Sequence, residues 1–153
     1  MIQRKQTIFL IMAIVMIAIC LLSDIMLIIP QGMGSNDHVG NLFILHGSDN
    51  SITMETWPLF LVLVVSIAIS IVAIFTFKNR KRQIVLCNLL MSAMLVWYII
   101  ALTYFVYVLP TADTRLKLTL SFTLPFVSLL FFALARRGII ADEKLIKAAD
   151  RIR

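Results

Sequence analysis

Asp24 is the one acidic or basic side chain inside the four long apolar segments of this 153-residue sequence. A carboxylate at membrane depth is costly, which makes it the functional suspect of the chain. With Asp113, expected on the same side of the membrane, it could form a dyad sharing one proton, the arrangement by which paired carboxylates activate water in hydrolysis. Against that reading, Asp24 is the seventeenth residue of the 22-residue segment 8–29, about 8 Å from its outer end at 1.5 Å per residue. Water reaches that depth, and the short Asn/Asp motifs in which membrane aspartyl hydrolases carry their acids are absent. A hydrated or hydrogen-bonded interfacial acid is the preferred reading.

His38 and His46 share the outer loop with Asp37, Asp49 and Glu55, residue types that bind zinc and other transition metals. If the chain between them is extended, the two histidines are roughly 26 Å apart. Only a folded-back hairpin could unite them, and solvent-facing polar residues are the simpler account. Cys20 and Cys87 lack the Cys-x-x-Cys spacing of thiol oxidoreductases. They also lie about 18 Å and about 5 Å in from the cytoplasmic ends of their segments, so two separate thiols are expected and no disulfide. Walker loops, Rossmann glycines, zinc-protease helices and Gly-x-Ser-x-Gly elbows are missing. No metal or cofactor is expected.

These residues sit in a chain that is 61% hydrophobic and 14% charged, with a mean hydropathy of +0.98. A 17.3 kDa soluble protein cannot hide that much apolar surface, which excludes a disordered tail, a disulfide scaffold and a water-soluble enzyme. Four segments, residues 8–29, 57–77, 84–109 and 118–135, match the roughly 20 residues that cross a bilayer as a helix. Trp57-Pro58 opens the second, an interfacial tryptophan followed by a proline suited to a first turn. The third carries Trp97, Tyr98, Tyr104 and Tyr107 in its outer half, a partial aromatic belt. In the fourth, Pro125 near the middle predicts a kink, because the carbonyl of Ser121 loses its donor. The expected fold is an all-α integral membrane protein. A four-helix transmembrane bundle with a short outer-loop β-hairpin fills residues 1–135, and an amphipathic cytoplasmic juxtamembrane helix follows over residues 136–153.

Orientation follows from Lys and Arg, which resist translocation. Twelve of the 14 lie in the N-terminus, the second connection and the tail, whereas residues 31–56 hold none and the third connection holds Arg115 and Lys117. Both termini are therefore expected in the cytoplasm. The first segment reads as an uncleaved anchor, being longer than a signal-peptide core and lacking a clear cleavage site. In the outer loop, residues 39–46 and 51–56 flank Gly47-Ser48-Asp49-Asn50, a hairpin signal that must pack on the helix ends to persist. The basic runs contain no stacking aromatics, so the net charge of +6 speaks for topology and against nucleic acid.

Small and polar residues at helical spacing mark packing faces, because they let helices approach and hydrogen-bond. Ser66, Ser70 and Ala73 form such a stripe on the second segment, and Asn88 with Ser92 are expected to do likewise on the third. Lys78, Arg80, Lys81, Arg82, Arg136 and Arg137, at segment ends, predict contact with anionic lipid or a partner. In the tail, Leu145, Ala148, Ala149 and Ile152 form one stripe after a flexible break at Gly138. A net charge of only +1 over residues 141–153 makes lipid binding weak. Leu145 and Ile152 are thus expected to touch protein: a partner, or the 78–82 turn through Asp142, Glu143 and Asp150.

Several local runs resemble one family. They are Met1-Ile2-Gln3-Arg4 with Gln6-Thr7, Trp57-Pro58, Lys78-Asn79-Arg80-Lys81 with Gln83 and Cys87, and Asp142-Glu143-Lys144-Leu145 with Asp150-Arg151-Ile152-Arg153. The chain is similar in these to small four-span inner-membrane proteins of Bacteroidota, the family named domain of unknown function 4293. It departs from the pattern at Lys5, where an apolar residue is commoner. The resemblance implies a bacterial inner (cytoplasmic) membrane and four spans, and it brings no activity. Its matching residues cluster on the cytoplasmic face, which implies lipid or a partner there. The functional expectation is a non-enzymatic accessory or scaffold subunit of a membrane assembly, with membrane lipid and a membrane protein or second copy as partners. The alternatives are an outer-face aspartyl hydrolase using Asp24 and Asp113, and a small transporter, which would want strongly polar groups at mid-membrane.

Overall fold

A computed structural model describes residues 3–30, 35–47, 50–76, 79–108 and 114–150 of the protein. Four helices dominate: α1 (Gln3–Leu22), α2 (Trp57–Phe75), α3 (Arg80–Thr103) and α4 (Leu124–Asp150). Five short strands join one end of them: β1 (Met26–Pro30), β2 (Asp37–Val39), β3 (Ile44–Leu45), β4 (Ile52–Thr53) and β5 (Thr114–Leu118). The helices pack side by side in the cyclic order α1, α2, α3, α4, with α1 closing against α4. Each turns a stripe of three- and four-residue spacing inward: Leu10, Ala13 and Ile17 on α1, Leu59, Leu63, Ser66 and Ser70 on α2, Leu90, Met94 and Trp97 on α3, Phe132, Ala135 and Ile139 on α4.

Outside that core the surface stays apolar. Trp57–Phe75, Arg80–Val106 and Leu120–Leu145 are long and apolar enough to cross a membrane, yet only 28% of each apolar window is buried against the protein. Side chains such as Val65, Val72, Leu95, Ile99 and Phe126 point outward, which suits hydrocarbon and not water. The described apolar stretch of α1, Gln6–Leu22, is shorter.

The first segment departs from the expected helix over residues 8–29. α1 stops at Leu22, and β1 takes the last apolar residues as the strand between β2 and β5 in a sheet of order β4-β3-β2-β1-β5. A strand paired on both sides can be apolar throughout, so its periodicity does not separate it from a continuing helix. The break is chemical: the Ser23 hydroxyl donates to the Ile19 carbonyl at 2.8 Å, and the Ser23 N–H turns back to Cys20. Ile25 then bonds Val39 and receives the N–H of Thr119, which welds the helix end to the sheet.

All strand pairs are antiparallel, with Met26 opposite Val39 and Leu118, and Ile28 opposite Asp37 and Leu116. Alternation buries Met26, Ile28, Val39 and Ile44 on one face. The expected hairpin is present as β3 with β4 around Gly47, with Asn50 in the left-handed region at φ 49. The expected strand 39–46 is instead interrupted, since Gly40 and Phe43 form a tight turn between β2 and β3. β5 was not foreseen; its alternating Arg115, Leu116 and Lys117 pair with β1, where a connection was expected.

The later helices bring further corrections. α3 continues as a π-helical turn, Tyr104–Val108, close to the expected end. Pro125 does not kink a mid-helix, because a 3₁₀ turn over Leu120–Thr123 precedes α4 and leaves the proline in its first turn. The Ser121 carbonyl finds its donor in the N–H of Leu124. α4 then runs unbroken for 27 residues, so no boundary falls at residue 136 and the tail helix is its continuation. Gly138 is a contact and not a break: a β-carbon there would lie 3.1 Å from Cγ of Gln6 on α1. Trp97 is fully buried, so it belongs to the core and not to an aromatic belt.

Candidate functional site

Polar chemistry gathers at the two ends of the molecule. At the sheet end, Asp24 follows α1 by two residues and lies outside the helix altogether. His38 on β2 donates from Nδ1 to its Oδ2 at 2.8 Å, and both side chains are 46% exposed. The suspect acid is thus a half-exposed, hydrogen-bonded partner of a histidine. Asp113 lies outside the described residues, as does Asp49.

The second histidine is engaged differently. His46 donates from Nδ1 to Asp37 at 3.1 Å, and its Nε2 meets the Thr53 hydroxyl at 3.3 Å, while the other Asp37 oxygen accepts from the Gly47 N–H. His38 stands opposite Leu45, so period-two alternation places His46 and Asp37 on one face of the sheet and His38 on the other. Both nitrogens of His46 are occupied and the two imidazoles diverge. Among the described residues no group of three or more His, Cys, Asp or Glu could hold a metal ion.

Between these pairs sits a residue that sequence reasoning missed. Asn41, 1% exposed, donates from Nδ2 to the Cys20 carbonyl at 2.6 Å and so caps the C-terminal end of α1 from the β2–β3 turn. Its own Oδ1 is buried without a partner. Only its place beside Gly40 in a turn hinted at a local role, and nothing in the sequence pointed to Cys20. Cys20 and Cys87 are both free and buried.

Of the expected packing residues, Ser66 and Ser70 are fully buried beside Ala73, each hydroxyl donating to the carbonyl one turn earlier at 2.7 and 2.8 Å. Asn88 and Ser92 contradict the expectation and are exposed. Gln83, Cys87, Leu90 and Met94 form the inner stripe of α3, so the polar pair lies on the opposite face, one turn apart among Val85, Leu89 and Leu95. Gln83 does the interhelical work instead, donating from Nε2 to the Ala73 carbonyl at 3.2 Å at the end of α2.

At the basic end, Gln6 of α1 donates to Asp142 of α4, both nearly buried. The tail acid therefore binds the first helix, and among the described residues it has no bond to the 78–82 turn. Ile139 and Asp142 are the buried positions of this part of α4, while Leu145 and Arg137 are exposed. Arg80 and Arg136 each keep one buried nitrogen without a partner, and Lys81 and Arg82 are exposed. Lys78 and Ile152 lie outside the described residues.

A family model described as Domain of unknown function (DUF4293) matches residues 2–152, and the chain belongs to that family, as the resembling runs implied. No curated protein matches the chain.

Proposed function

We propose that this member of the DUF4293 family crosses a bacterial inner membrane four times with both termini in the cytoplasm, and that it serves there as a non-enzymatic subunit of a membrane assembly. The helix directions support the crossings. Gln6 near the start of α1 meets Asp142 late in α4, while β1 and β5 pair where α1 ends and α4 begins, so these two helices run antiparallel. The sheet end carries Arg115 and Lys117, and the opposite end carries Arg80, Lys81, Arg82, Arg136 and Arg137, the distribution that the positive-inside rule places in the cytoplasm.

One observation carries the assembly role: Asn88 and Ser92 lie exposed on an otherwise apolar face of α3. Asn88 makes no side-chain hydrogen bond among the described residues, whereas the Ser92 hydroxyl donates to the Leu89 carbonyl of its own helix at 2.8 Å. An amide facing hydrocarbon without a partner is costly, and a neighbouring helix that supplies a polar group relieves the cost. Ser92 also lines a groove of about 280 Å³ between α2 and α3 with Val65, Ile69, Leu89 and Ala93, where small side chains let a helix approach. The polar groups that face inward, Ser66, Ser70, Asn41 and Gln83, bond to the protein's own backbone and hold the fold.

Affinity purification in mild detergent with mass spectrometry tests the reading. The wild-type chain recovers a membrane protein or a second copy, and Asn88→Leu with Ser92→Leu lowers that recovery about fivefold or more while insertion is unchanged. Equal recovery by the variant, or no specific protein with either chain, overturns it.

A further inference from the structure

At the basic end, a groove of about 460 Å³ is lined by Val72 and Thr76, at the end of α2, and by Lys81, Arg82, Val85 and Leu86 from α3. We propose that this groove binds one anionic phospholipid, with its phosphate at Lys81 and Arg82 and its acyl chain along Val72 and Val85. The proposal rests on the reading that these helices cross the membrane with this end in the cytoplasm.

The order of the lining residues along the helices is that of a lipid. Thr76 lies one turn beyond Val72 toward the end of α2, and Lys81 one turn before Val85 at the start of α3, so the groove wall is apolar and its polar residues follow one turn further toward the basic end. The step is about 6 Å, comparable to the distance over which a bilayer passes from acyl chain to headgroup. Val72 and Val85 are 53% and 63% exposed, so the apolar wall is open to an incoming chain.

The cations are free to bind. Neither Lys81 nor Arg82 has an acidic partner among the described residues, and the His38–Asp24 and His46–Asp37 pairs lie at the sheet end. Both occupy the first turn of α3, whose N-terminal end carries the positive pole of the helix, and Asn79 already caps that turn by accepting the Arg82 N–H. The pole adds to a site that the cations and the groove define. A zwitterionic lipid gains less here, because its own ammonium is repelled by the same two side chains.

Purified full-length protein in detergent, titrated with fluorescent phosphatidylglycerol or phosphatidylcholine and examined by native mass spectrometry, tests the site. One phosphatidylglycerol is expected per chain, about 25-fold tighter than phosphatidylcholine, from roughly fivefold for each cation near the surface. Lys81→Gln with Arg82→Gln removes the preference, whereas Arg115→Gln with Lys117→Gln, at the sheet end, retains it. Val85→Trp fills the groove with both charges in place and abolishes saturable binding, and millimolar inorganic phosphate does not displace the lipid. Circular dichroism and gel filtration check that each variant is folded. Wild-type binding by the Val85→Trp protein, equal loss in the two charge variants, or full displacement by inorganic phosphate overturns the site. So does a disulfide-linked second copy formed through Val85→Cys, because another chain then fills the groove. A protein that stays soluble without detergent defeats the membrane reading itself and is distinguished from these outcomes at the extraction step.

Discussion

The hydroxyl of Tyr98 on α3 donates to the Phe122 carbonyl at 2.8 Å and accepts the Phe126 N–H at 3.0 Å. In a regular helix those two backbone groups would bond each other, so the phenol is inserted into the ladder where the 3₁₀ turn hands over to α4. Trp97 packs edge-on against Tyr98 at 5.1 Å and tilted against Phe122 at 5.7 Å, which holds the ring in place. Tyr98→Phe removes the hydroxyl and leaves the Phe126 N–H and the Phe122 carbonyl without this partner. A loss of about 1–3 kcal/mol is expected, read as a lower midpoint of thermal unfolding in detergent. An unchanged midpoint would mean that the junction closes into ordinary helix at no cost.

Asn41 joins the β2–β3 turn to the end of α1 through the Cys20 carbonyl. Asn41→Ala removes that donor together with an acceptor that has no partner, so the two effects offset in part and the net loss is expected near 1 kcal/mol. Asn41→Asp sets a charged acceptor against a carbonyl oxygen in a buried site, and a loss above about 3 kcal/mol follows. The order of the two variants in unfolding midpoint is the test. An aspartate as stable as the wild type would show that water enters this end of the bundle.

Ser66 and Ser70 are satisfied within their own helix, so their value lies in small size and not in bonds across the interface. Ser66→Ala and Ser70→Ala are each expected to change stability by less than about 1 kcal/mol, whereas Ser70→Leu overfills the α2 contact and costs about 1–3 kcal/mol. A large loss on alanine substitution would reveal a hydrogen bond across helices in place of simple close approach.

Opposite sides are expected for Asn50, beside the β3–β4 hairpin, and Asn79, ahead of α3. Cys20 and Cys87 are buried, so single cysteines introduced at these positions can be labelled over a low background. An impermeant thiol reagent applied to intact cells should modify Asn50→Cys and spare Asn79→Cys until the membrane is opened. Labelling of both from one side would remove the four-crossing topology, and the reverse pattern would invert it.

Hydrophobic mass and segment length made three apolar helices long enough to cross a membrane legible in the sequence, because a helix that faces lipid must be apolar wherever it is exposed. The hairpin was legible too, since Gly47 and Asn50 occupy positions where few residues tolerate the turn. On α2 the stripe of Ser66, Ser70 and Ala73 is buried. On α3 the same reasoning failed: Asn88 and Ser92 repeat with helical spacing, but so does the true stripe of Gln83, Cys87 and Leu90. Periodicity gives a face and not the direction it looks, and in hydrocarbon both faces are apolar.

Composition, the lengths of the apolar runs and the placement of Lys and Arg depend on transfer between water and lipid, a property each residue carries alone, so the sequence by itself determined the membrane-compatible class and the asymmetry of its ends. Pairing decided the rest. Whether residues 26–30 extend α1 or leave it as a strand depends on β2 and β5 supplying hydrogen bonds from residues 37–39 and 114–118. Asn41 meeting Cys20, Gln6 meeting Asp142 and Tyr98 meeting Phe122 likewise join groups far apart in the chain. A backbone or side-chain polar group in an apolar interior must find some partner, and only the tertiary arrangement selects which one.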